Sequence, residues 1–144
     1  MKKLILAAIL TVISSIAFAE SSDMRVLKSS LKNNPNATSV VVPYPSVGGV
    51  RLLANVAGAR FDWHYGEKAN AKLFCKYLGE GWKMTEYEMD DYQYSMRVAT
   101  LEDSFFSSKI SVVYKDISTL EDGEETLAIK LYASVTCEKE QASE

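Results

Sequence analysis

The chain has 144 residues, 16 basic against 19 acidic side chains, and a formal net charge of −3. Net acidity excludes non-specific nucleic-acid binding, which needs cationic surface to displace counterions, and argues equally against adsorption to an anionic membrane. Two cysteines and a single histidine restrict the metal, redox and nucleophilic chemistry open to it.

Residues 1–19 read as a secretory signal peptide. Met1-Lys2-Lys3 is cationic, and Leu4 to Ile16 is an apolar run broken only by Thr11, Ser14 and Ser15. Ala17-Phe18-Ala19 supplies the small residues a leader peptidase requires. The run falls short of the roughly 20 apolar residues a membrane span needs. Cleavage following Ala19 predicts a periplasmic or secreted chain that starts at Glu20 and makes no membrane contact in its mature form. That chain is more acidic still, because Lys2 and Lys3 leave with the leader.

Residues 20–36 are rich in Ser, Asn and Lys and end in Asn33-Asn34-Pro35-Asn36. They predict a flexible N-terminal arm with at most one helical turn around Val26 to Leu31. Residues 37–144 then form a single domain. Thr38 to Val42 is β-branched and predicts a short strand, and Pro43-Tyr44-Pro45-Ser46-Val47-Gly48-Gly49 predicts a turn. Val50 to Val56 is a second strand candidate, followed by an irregular stretch to Tyr65.

Glu67 to Leu78 predicts a helix. Ala69, Leu73, Phe74, Tyr77 and Leu78 recur at helical spacing, while Lys68, Lys72 and Lys76 run along the opposite, solvated face. Gly79 stands where a helix-terminating glycine belongs. After Gly81 the apolar period changes to two, which predicts strands over Trp82 to Met89, Tyr92 to Leu101, Phe105 to Lys115 and Thr126 to Cys137. In the last of these, Leu127, Ile129, Leu131, Ala133, Val135 and Cys137 share one face.

An even number of cysteines in an exported chain predicts a disulfide between Cys75 and Cys137. Closing so long a loop stabilises a fold by about 4 kcal/mol in the chain-entropy picture. Cys75 borders the apolar stripe of the helix, and Cys137 is in phase with the core side of the last strand. The expected fold is therefore α+β: a mostly antiparallel sheet of four to six strands, its last four a meander. One helix packs on one face, clipped to the sheet by the disulfide.

His64 is the only imidazole, flanked by Asp62 and Glu67. Its spacing to them matches no metal motif, so a hydrogen-bonded histidine before a helix is the simpler reading. No nucleophile elbow, phosphate-binding loop or dinucleotide fingerprint is present. No catalytic residue, metal or cofactor is expected. The aromatic group Trp63, Tyr65, Trp82, Tyr87, Tyr92 and Tyr94 reads mainly as sheet packing, with Trp63, His64, Tyr65 and Trp82 as the candidate binding residues. The sequence therefore predicts a small exported, non-catalytic binding module for a protein, peptide or glycan. The alternative is a small secreted hydrolase or metal-dependent enzyme using Asp62, His64 and Glu67.

Overall fold

A computed structural model of the chain describes residues 16–18, 21–57, 67–91, 96–104, 109–117 and 128–140. It is α+β, with mostly antiparallel strands and two helices among the described residues. The architecture is organised by the longest strand, β9 (Ala128–Lys139). One side of its second half pairs antiparallel with β2 (Ser39–Pro43), and the other side pairs with β6 (Trp82–Met89). Its first half pairs with β5 (Leu53–Ala57). On the far side of β2 lies a short parallel strand, β1 (Ile16–Phe18).

Between β2 and β5 the chain makes a small hairpin, β3 (Ser46–Val47) and β4 (Val50–Arg51). Its two-residue turn, Gly48-Gly49, has φ of 61° and 82°. Two consecutive positive φ values match the right-handed twist of a hairpin, and only glycine adopts them without strain. A second, separate sheet is the pair β7 (Met96–Asp103) and β8 (Ile110–Ile117). Among the described residues, one isolated β-bridge, Leu52 to Ala99, connects its backbone to the strands of the rest of the structure.

The last four strands are present as the sequence alternation predicts, but they do not form a meander. Among the described residues β6 skips its sequence neighbours to pair with β9, and β7 forms its ladder with β8. Alternation specifies that a strand has an inner and an outer face, not which strand lies beside it. β7 also departs from alternation, since Val98 to Leu101 are all buried. It is covered on both faces, as its contacts with the second helix and with β4 reflect.

Residues 20–36, expected as an arm, contain a nine-residue helix, α1 (Met24–Lys32). The Asp23 side chain caps it by accepting hydrogen bonds from the N–H groups of Arg25 and Val26 at 3.0 and 3.3 Å. Met24 and Leu27 are buried, and Leu31 packs against the same core. The expected helix is α2 (Ala69–Tyr77), with Phe74 and Cys75 fully buried. Its Cys75 is joined to Cys137 of β9 across a Cα separation of 5.4 Å, closing a loop of 62 residues. Phe74, Trp82, Val40, Val42, Leu101 and Tyr132 lie in the main core, and a smaller cluster gathers Leu53, Val98, Ile129 and Leu131.

Candidate binding groove

α2 presents Lys68, Lys72 and Lys76 one turn apart, because residues four apart stand one above the other on a helix. β6 runs alongside. Between them lie two adjoining concavities of about 600 and 730 Å³, which share Lys72 and Met84 and so form one continuous groove. At one end the groove touches five consecutive β6 residues, Met84 to Glu88. Consecutive strand residues point to opposite faces, so a hollow that meets all five runs along the strand's edge. Among the described residues β6 pairs with β9 alone.

The α2 wall is cationic. Lys76 is paired with Asp103 at 2.8 Å, and Lys83 with Glu140 at 2.9 Å at the far end. Among the described residues, Lys68 and Lys72 make no ion pair. Tyr87 and Met84 of β6 point toward α2, while Glu86 and Glu88, paired with Thr136 and Ser134, border the hollow from the other face of the strand. The floor is apolar: Met84 lies centrally, and Trp82, only 6% exposed, packs beside Gly79.

Two tyrosines fix the start of α2 over this groove. The Tyr87 hydroxyl donates to Glu67 Oε2 at 3.1 Å, and its ring meets Tyr132 edge-on, with centroids 5.8 Å apart. That hydrogen bond to a carboxylate is the main reason the Tyr87 phenol titrates above its ordinary value, with burial and the Glu67 charge adding to it. Tyr132 is fully buried. Its hydroxyl donates to the Glu67 carbonyl and accepts from the Ala71 N–H at 3.2 Å. Burial pushes the Tyr132 phenol well above the usual 10.0, with the Tyr87 and Glu67 charges adding to it and the Ala71 hydrogen bond opposing it.

Asn70, buried in the next position, ties α2 to both sheets. Its amide nitrogen donates to the Leu53 carbonyl at 2.8 Å, and its amide oxygen accepts from the Leu101 N–H at 2.9 Å. On β4, the Arg51 guanidinium donates to the Tyr132 carbonyl at 2.9 Å and pairs with Asp90 at 3.3 Å. It also lies 4.8 Å from the centre of the exposed Tyr44 ring.

Of the sequence-derived candidates, Trp82 lies on the groove, mostly as core. Asp62, Trp63, His64 and Tyr65 fall outside the described residues, as do Tyr92 and Tyr94. Glu67 is exposed at the start of α2 and bonded to Tyr87. Among the described residues, no group of three or more His, Cys, Asp or Glu side chains could hold a metal ion. The sequence reading passed over Lys68, Lys72, Met84 and Glu88. The lysine repeat was visible, but its significance depends on β6 lying opposite. No protein-family model, curated protein or solved structure matches this chain.

Proposed function

We propose that this protein is a small exported, non-catalytic binding module, and that the groove between α2 and β6 takes an extended segment of a partner protein. The observation that carries the reading is the groove's build: a lysine row on α2 and a Met84–Trp82 floor beside a strand edge. An extended peptide can hydrogen-bond to such an edge while its side chains meet the lysine row and the apolar floor. The net acidic charge of the chain disfavours a phosphate backbone, so nucleic acid fits poorly. Export is supported by the leader-like layout of residues 1–19 and by the Cys75–Cys137 bridge, since disulfides persist in oxidising compartments. No helix of the described residues is long and apolar enough to cross a membrane.

The test is an array of extended peptides of varied charge probed with the exported protein. Peptides combining acidic and apolar residues should bind, and the double variant K68E/K72E should weaken them about tenfold or more, as reversing two close charge contacts does. Binding to a glycan array and to no peptide would redirect the reading to sugars. The enzymatic alternative rests on Asp62, His64 and Glu67. One equivalent of zinc or copper held by the wild type and lost in H64A would favour it over the binding module.

A further inference from the structure

The other flank of the sheet carries a different kind of surface. Tyr44 N–H donates to the Ala133 carbonyl, and Lys139 N–H donates to the Thr38 carbonyl, at the two ends of the β2–β9 ladder. That ladder has no register shift. Antiparallel pairing alternates, so Val40 and Val42 aim their backbone groups at β9, while Ser39, Val41 and Pro43 aim theirs outward. Pro43 has no N–H, and its carbonyl accepts from the Ser22 hydroxyl. The outward groups left are the N–H and carbonyl of Ser39 and Val41. In the full chain they face β1, whose Ile16, Ala17 and Phe18 stand parallel and opposite Ser39, Val40 and Val41.

Those three residues lie within the segment that cleavage following Ala19 would remove. The chain just beyond stays fixed. Ser46 N–H donates to the Ser22 carbonyl at 2.9 Å, and Gly48 N–H donates to Asp23 Oδ2 at 2.6 Å. The loss is therefore confined to the strand over Ser39 to Val41. Exposed sheet edges are ordinarily protected by charges, bulges or short length. β6 carries Lys83, Glu86 and Glu88 and two register shifts. Ser39-Val40-Val41-Val42 has no charge and no bulge.

We propose that removal of the leader uncovers a strand-accepting edge along β2, and that it takes a short, uncharged, apolar strand of a partner, running parallel, in the place Ile16–Phe18 occupies. This rests on the export reading but not on the groove.

Amide hydrogen exchange tests it on the full chain with its leader retained and on the protein purified after export. Val41 should be protected in the uncut chain and exchange at least about tenfold faster in the exported one, since an amide that loses its partner opens locally. The probe is the synthetic peptide Ser-Ser-Ile-Ala-Phe-Ala, the sequence of residues 14–19. Added to exported protein, it should restore protection at Val41 and shift the Ser39 and Val41 amide resonances. V41P, which deletes one outward N–H on the side away from β9, should abolish the peptide-induced shift read at Ser39. V41K should weaken it. Equal exchange at Val41 in both forms would overturn the proposal. So would protection in exported protein that rises with protein concentration alone, which would assign the edge to a second copy. An exported protein that still begins at Met1 would refute the export reading, and the peptide's failure on a leaderless chain would separately refute the edge.

Discussion

The two helices are nine residues each and are held by opposite means. α1 is stabilised locally: Asp23 satisfies its first free N–H groups, and the helix lies at the margin with Val26 54% exposed. α2 has no side-chain cap, since the residue before it is Lys68. Its first turn is instead held by Tyr132 and Asn70, and its last by the bond to Cys137. A helix terminus leaves its first N–H groups without partners, and a side chain from a distant strand meets that need as well as an adjacent aspartate does. Both helices bury an apolar side in the core, but the start of α1 is capped by its own neighbouring residue and the start of α2 by side chains of the assembled fold.

Breaking α2's tertiary anchors should therefore cost more than breaking α1's cap. The largest effect is expected for C75S or C137S. Loss of the bridge should lower stability by about 2–5 kcal/mol in chemical denaturation, the range for a native disulfide in a small exported domain. Thiol titration of the folded wild type should find neither cysteine free. N70A follows, at about 2–4 kcal/mol, because it leaves the Leu53 carbonyl and the Leu101 N–H buried without partners. The loss should fall on both sheets, visible as faster exchange at Leu101 and at the β5 ladder.

Y132F keeps the ring against Tyr87 but removes the hydroxyl that serves two backbone groups of α2, for roughly 1–3 kcal/mol. It also carries a pH signature. The Tyr132 phenol is raised above 10.0 in the folded protein, so the unfolded chain loses its proton first as pH rises. Its contribution is complete below pH 10 and declines above it. Wild-type stability should therefore drop above pH 10, and Y132F should flatten that drop. The smallest effect is D23A, about 0.5–2 kcal/mol, the usual loss for an N-cap. Circular dichroism should show fraying of α1 with α2 intact.

This contrast also explains what could be read before folding. The Cys75–Cys137 pair was legible because each cysteine is in phase with a core face of its own element. α2 was legible through its stripe of Leu73, Phe74 and Tyr77. α1 was hidden by its serines and lysines, although Asp23 followed by Met24, Leu27 and Leu31 at helical spacing was the available signal. Tyr132 was hidden for a different reason. Register shifts in the β6–β9 pairing, which bring Glu88 opposite Ser134 and Met89 opposite Tyr132, break the alternation there. A residue expected beside the outward Lys130 and Ser134 is turned into the core. Lys68 and Lys72 were visible as a solvated row. Their role as a groove wall depends on β6 pairing with β9, which no local pattern encodes.

The central place of β9 has a consequence for how the chain acquires its shape. Val40 stands opposite Cys137, and Leu53 opposite Leu131, so the sheet joins segments far apart in the chain. Such a topology has high contact order, and loop-closure entropy must be met before the ladder returns any enthalpy. A chain that crosses a membrane with its N-terminal end leading presents β2, β5 and β6 first, and these have no common partner until β9 follows. In a chain that emerges in that order, neither the sheet nor the Cys75–Cys137 bond can close before β9 is available.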